Sequence, residues 1–155
     1  MGTETEVKIE IDEPESFVRL LQARNYRVVS DRHFEDNLLL DFPGATLKSS
    51  GRLFRIRFAN EKAILTYKGP PKADGIFKTR EELEIGLDSG IGAVEILERI
   101  GMRVWFRYQK YRREFALHGV RIAVDETPIG NYVELEGTET GICDLARTLD
   151  LDASR

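Results

Sequence analysis

The sequence predicts an α+β fold in which about eight antiparallel strands close into a β-barrel flanked by helices. Three observations carry that expectation. Charged residues stand at every second position in four stretches: Glu4, Glu6 and Lys8; Arg55 and Arg57; Arg80, Glu82 and Glu84; Glu134 and Glu136. Strand side chains alternate faces, so each set projects from one side of its strand. The residues between them are largely apolar, namely Val7 and Ile9, then Phe54, Ile56 and Phe58, then Leu83 and Ile85, then Val133 and Leu135. Finally, the strand patterns follow one another mostly as sequential hairpins, and an antiparallel sheet of that kind removes its open edges by closing on itself.

The elements follow in order. Thr3 to Ile11 alternates as a strand. Glu13-Pro14-Glu15-Ser16 then reads as a helix start with proline in the first turn; Phe17, Leu20 and Leu21 form its apolar stripe and Asn25 closes it. Strands are expected at about 28–41, 52–60 and 63–68, the last two joined by a tight hairpin at Asn60-Glu61-Lys62. Gly69 to Gly75 is a loop by composition. A strand from Phe77 to Leu87 leads to Asp88-Ser89, a capping signal for a helix over 90–100 that stops at Gly101. Strands follow at about 102–117, 120–125 and 132–137, with Gly119 and Gly130 at turns. The last helix, about 140–149, places Ile142, Leu145, Ala146 and Leu149 at helical spacing.

Bulk composition narrows the possibilities. A chain of 155 residues that is 41% hydrophobic suits one domain spanning 1–155, with room for a real core. A formal net charge of -4 argues against a nucleic-acid binder or an acidic-membrane binder. Cys143 is the single cysteine, so no intrachain disulfide forms, and its ordinary role is a small apolar helix residue. No apolar run is long enough for a signal peptide or membrane span, and a cytoplasmic location is expected. Met1-Gly2 does not make a myristoylation motif, which needs Ser or Thr where Glu6 stands.

The charged faces are the functional question. Solvent is the ordinary destination of a polar sheet face. Against it stand the dominance of Arg over Lys, the recurrence of both signs on strand after strand, and apolar opposite faces that helices can cover. An inward-facing set would place Lys8, Arg55, Arg57, Lys68, Arg80, Lys110 and Arg112 with Glu4, Glu6, Glu82, Glu84, Asp125, Glu134 and Glu136. Buried charges require partners. A polyanion with divalent cations satisfies both signs, because Arg grips phosphate oxygens bidentately while Mg²⁺ or Mn²⁺ joins carboxylate to phosphate. The ligand class implied is a triphosphate.

Glu4-Thr5-Glu6-Val7-Lys8 resembles the Glu-x-Glu-x-Lys signature of the CYTH family, the triphosphate tunnel metalloenzymes that include class IV adenylyl cyclases and thiamine triphosphatases. The resemblance extends through Arg55-Ile56-Arg57, Leu65 to Pro70, Arg80 to Glu84, Lys110 to Arg113, and Asp125 through Glu134-Leu135-Glu136-Gly137. It implies an eight-stranded tunnel that binds Mg²⁺ or Mn²⁺ through Glu4, Glu6 and Glu136, with Glu134 and Asp125 next. It also implies a phosphate cradle of Lys8, Arg55, Arg57, Lys68, Arg80, Lys110 and Arg112, among which Lys8 and Arg57 are the catalytic candidates. Arg113 should face outward if the register holds. Glu82 and Glu84 either bind metal or neutralise neighbouring Arg residues.

The activity expected is metal-dependent hydrolysis of an organic triphosphate, nucleoside or thiamine. The alternatives are cyclisation of ATP to cyclic AMP, as in class IV adenylyl cyclases, and a module that holds nucleotide or polyphosphate without turnover. The segment from Arg32 to Asp41 resembles the long second strand of the cyclase and thiamine triphosphatase branches, which favours an organic substrate. Many relatives continue past the last helix, where this sequence ends at Ser154-Arg155. The expected partner is a small-molecule triphosphate, with no nucleic acid and no membrane, and a homodimer stays open. His33 and His118 lack zinc-site spacing, no Walker loop or nucleophile motif occurs, and Trp105, Phe106 and Tyr108 are either packing residues or a platform for a base.

Overall fold

The computed structural model describes residues 2–153; Met1, Ser154 and Arg155 lie outside them. Among the described residues there are nine strands: β1 (Gly2–Ile11), β2 (Arg27–Asp41), β3 (Leu53–Ala59), β4 (Lys62–Lys68), β5 (Lys72–Asp74), β6 (Phe77–Leu87), β7 (Arg103–Leu117), β8 (Val120–Thr127) and β9 (Gly130–Glu136). The helices are α1 (Pro14–Ala23), α2 (Thr46–Ser49), α3 (Gly90–Arg99) and α4 (Glu139–Thr148). Hydrogen-bonded strand order is β1-β9-β8-β7-β2-β3-β4-β6-β5, and β1 also pairs with β6. Eight strands therefore close into an antiparallel barrel, as the alternation predicts, and β5 is an extra strand beside β6.

Local chemistry explains the joints. The β3–β4 hairpin turns on Asn60 and Glu61, both with positive φ (51° and 60°), the pattern of a primed two-residue turn whose twist suits a hairpin. Ser89 caps α3 by accepting from the Gly92 N–H, as Asp88-Ser89 signals, whereas α4 begins slightly earlier than its apolar spacing suggests because Thr138 caps it through Gly141. Two elements differ from the sequence expectation. Short α2 has no apolar period of its own; the Asp41 carboxylate accepts from the backbone N–H groups of Phe42, Leu47 and Lys48 and so pins its start. Exposed β5 lies inside the segment that composition marks as a loop.

The chain divides into two compact units. One contains residues 2–3, Phe34–Lys72 and Arg80–Gln109, and the other Glu4–His33, Ala73–Thr79 and 110–153. In the second unit, Val7, Ile9, Ile122, Val124, Val133 and Leu135 lie on one sheet face and pack with Phe17, Val18 and Leu21 of α1 and Ile142, Leu145 and Ala146 of α4. In the first, Ile56, Phe58 and Leu65 pack with Ala93, Val94 and Leu97 of α3. Helices thus cover the apolar faces of β1, β8 and β9 and of β3 and β4, whose charged residues occupy the other face, whereas Leu83 and Ile85 of β6 are 42% and 53% exposed. Cys143 lies on the exposed side of α4. Among the described residues no helix is long and apolar enough to cross a membrane.

Candidate metal and phosphate site

Register sets which charges meet. In the second unit, Glu6 stands opposite Glu136 and Lys8 opposite Glu134 across β1–β9, while Arg112 stands opposite Asp125 across β7–β8. Directly opposed residues share a face. Asp125, 1% exposed, receives Lys110 Nζ at 2.9 Å and Arg112 Nε at 2.6 Å, with Arg112 Nη2 also bonded to its second oxygen at 2.7 Å. The same Nη2 donates to Glu134 at 2.8 Å. Lys8 Nζ lies over the Tyr132 ring, 4.5 Å from its centroid. Glu4 is buried.

These neighbours tune one another. Burial pushes the Glu134 carboxyl upward, but the charges of Arg112, Lys110 and Lys8 outweigh it and hold the group down at about 2. Burial lowers Lys110, repulsion from Arg112 adds to that, and Glu134 and Asp125 offset part of it. Asp125, a metal candidate by resemblance, commits both oxygens to Lys110 and Arg112. Arg113, one residue out of phase, faces the helix-covered side and pairs with Glu15 of α1 at 2.8 Å, as the register predicts.

In the first unit Arg57 and Asn37 oppose each other across β2–β3, as do Arg55 and Leu39. Arg57 Nε donates to Asn37 Oδ1 at 2.8 Å and lies 3.2 Å from Glu35 Oε1, and Asn37 is completely buried. Arg55 donates to the Tyr108 hydroxyl at 3.2 Å. Lys68 pairs with Glu82 at 3.2 Å, and Thr66 donates to Glu84 at 3.0 Å. Glu82 therefore neutralises a cation here. Arg80 is buried and donates to the carbonyls of Gly69 and Gly51 at 2.9 and 3.1 Å.

Glu35, Asn37, Thr66 and Tyr132 stand on the charged faces and were not assigned from the sequence, and Tyr108, read there as packing or as a platform for a base, bonds Arg55. Glu35 and Asn37 carry the same two-residue period as the sets that were recognised, so that signal could have found them. His33 bonds locally to Ser30 at 3.0 Å, and His118 sits in the β7–β8 turn with φ of 48°.

The chemistry of the donors can be matched to a divalent cation. Among the described residues no group of three or more Asp, Glu, His or Cys side chains is placed to hold a metal ion. Glu6 and Glu136 form a two-carboxylate set on one face, and Arg121 stands opposite Glu136 across β8–β9. Mg²⁺ is typically held by one or two carboxylates with waters and substrate phosphates completing its shell. The pair fits that mode.

Comparison with known proteins agrees with the fold. A candidate adenylate cyclase of Methanocaldococcus jannaschii is 24% identical over 148 residues, covering 95% of this chain and 83% of that protein. A candidate adenylate cyclase of Vibrio parahaemolyticus superposes with a TM-score of 0.85 at 21% identity, over 97% of this chain and 90% of that one. A candidate adenylyl cyclase of Hippeastrum, described as having a dominant triphosphatase activity, superposes with a TM-score of 0.73 at 22% identity, over 96% and 88%. The CYTH domain matches residues 2–149, and the chain belongs to the CYTH family.

Proposed function

We propose that the protein hydrolyses an organic triphosphate with the help of Mg²⁺ or Mn²⁺. The observation that carries this is the arrangement of ions, many of them buried: in each unit, cations and carboxylates share one sheet face, while helices pack on the opposite face of β1, β8 and β9 and of β3 and β4. The Hippeastrum relative's triphosphatase activity supports hydrolysis over cyclisation. Arg55, Arg57, Lys68 and Arg80, with Lys8, Lys110 and Arg112, are the phosphate-binding cations. Glu4, Glu6, Glu136 and Glu134 are the metal ligands, and Asp125 acts by holding Lys110 and Arg112 in place.

A divalent cation held by Glu4, Glu6, Glu136 and Glu134 would supply neutralisation of phosphate charge and orientation of a water. Each residue contributes position and charge. Arg57, fixed at Nε, presents its terminal nitrogens at a set angle to a phosphoryl oxygen, and Lys8 is steadied over Tyr132. Water attacks the terminal phosphorus, the bond to the bridging oxygen breaks, and inorganic phosphate leaves an organic diphosphate. Charge on the departing oxygens is stabilised by the same cations.

Product analysis with ATP, thiamine triphosphate and tripolyphosphate, in Mg²⁺ and in Mn²⁺, tests the activity. Phosphate release that prefers an organic substrate is expected. The Glu6→Gln variant should need at least tenfold more Mg²⁺ for half-maximal rate. Cyclic nucleotide with pyrophosphate would replace hydrolysis by cyclisation, and binding without any product would leave only a holding module.

A further inference from the structure

Within the phosphate-binding set, Arg80 is distinguished by what holds it. It continues the Glu84 and Glu82 row of β6 and is 8% exposed. Its Nε donates to the Gly69 carbonyl at 2.9 Å and its Nη2 to the Gly51 carbonyl at 3.1 Å. A guanidinium is a rigid planar fork, so two fixed acceptors define its plane. Gly69 is fixed by its own N–H, which donates at 2.9 Å to the carbonyl of Glu81, the neighbour of Arg80 on β6. Gly51 lies in a turn. Its position depends on the segment from Phe42 to Arg52, which carries α2.

That segment has little reason of its own to keep its shape. α2 is four residues long, and Ala45 before it stands at φ 57°, a left-handed conformation that alanine keeps only where its surroundings impose it. The buried Asp41 carboxylate at the end of β2 supplies the restraint. Its Oδ1 accepts from the N–H groups of Phe42 and Leu47 at 2.7 and 2.9 Å, and its Oδ2 from that of Lys48 at 2.9 Å. The same two α2 residues pass the restraint on. The Leu47 carbonyl accepts from the Arg52 N–H at 2.9 Å, and the Lys48 carbonyl from the Gly51 N–H at 3.0 Å. A carboxylate that only capped α2 would have done its work at Lys48. Here an unbroken series of hydrogen bonds runs on from the carboxylate through Lys48 and Gly51 to a buried cation of the ionic face.

Resting on the triphosphate activity proposed above, we propose that Asp41 is a positioning residue for the phosphate site, acting through α2 and the Gly51 carbonyl to set the plane in which Arg80 meets a phosphoryl oxygen. Asp41 itself touches no substrate. By linkage the influence is mutual, so a phosphate chain that steadies Arg80 also steadies the backbone of Gly51 and α2.

Two measurements with tripolyphosphate in EDTA, where binding is read without turnover, test this. Asp41→Asn keeps the shape of the side chain and removes its charge and one acceptor oxygen. By calorimetry it should weaken tripolyphosphate about tenfold in the wild-type background and by no more than about twofold in Arg80→Ala. In the wild type, saturating tripolyphosphate should slow amide hydrogen exchange at Leu47, Lys48 and Gly51 about fivefold or more, and in Arg80→Ala it should not. The exchange measurement needs no change at Asp41, so it decides the matter even where Asp41→Asn does not fold. Equal weakening by Asp41→Asn in both backgrounds, or exchange at those three amides that ignores the ligand, overturns the positioning role and leaves the phosphate site intact. Failure of the wild type to bind tripolyphosphate, ATP or thiamine triphosphate overturns both.

Discussion

At the scale of single residues, what distinguishes this chain is that its ionic groups hold one another before any ligand arrives. Arg57 illustrates the principle. Its Nε is committed to Asn37 and approaches Glu35, so two β2 side chains set the plane of a guanidinium carried on β3. Asn37 is fully buried and its amide also reaches the Tyr108 carbonyl at 3.5 Å. Asn37→Ala removes the acceptor and leaves a half-buried cation with one neighbour fewer. The expected cost is about 1–3 kcal/mol in urea unfolding. It should come with roughly a tenfold loss in kcat/KM for a triphosphate, since a loosened Arg57 gives up orientation as well as charge. A variant with unchanged turnover would show that Arg57 needs no such anchor. The identities of the charged residues were legible from their period of two, but their partners were not. Lys110 and Arg112 meet Asp125 across 15 and 13 residues, and only the β7–β8 register decides that both converge on it.

At the scale of elements, legibility followed local periodicity. β1 and β9 were readable because Val7, Ile9, Val133 and Leu135 alternate with charge, and α3 was readable because Ser89 announces its cap. α2 and β5 were not, because neither carries a pattern of its own: one is pinned by Asp41 and the other is three exposed residues next to β6. The seating of α3 on its sheet was also invisible, and it depends on a glycine. A β-carbon at Gly90 would fall 2.7 Å from the Ala63 β-carbon and closer still to the Phe58 ring. Gly90→Ala must therefore lift the first turn of α3 away from β3 and β4, at about 1–3 kcal/mol for overpacking. A lower urea midpoint with an unchanged slope is expected. Adding Phe58→Leu should recover part of the loss, because the ring is the nearest obstacle. A Gly90→Ala protein as stable as the wild type would mean that the helix shifts freely and its packing is loose.

For the molecule as a whole, the burial of so many ions makes stability depend on pH. Glu134 sets the clearest case. Its carboxyl titrates at about 2 in the fold, against an ordinary value of 4.5. A carboxylate lowered by folding contributes stability that is fully present above the unfolded value and is lost as pH falls through the folded one. The window for Glu134 is thus about pH 4.5 down to about 2. The difference of about 2.5 units corresponds to something on the order of 3 kcal/mol at neutral pH, or on the order of 10 °C in melting temperature for a chain of this size. Asp36 and Asp41 also titrate below their ordinary values, Asp36 chiefly through its bond to Arg107, and Asp41 because three backbone N–H groups outweigh its burial. They add to the acid slope of the wild type, so the test is a comparison. Metal-free wild type and Glu134→Gln should differ in melting temperature at pH 7, where the charge of Arg112 loses a carboxylate partner, and should converge toward pH 2, where the wild-type carboxyl is itself protonated. Parallel curves across that range would mean that the carboxylate contributes nothing through its charge, and that Asp125 holds Arg112 without help from Glu134.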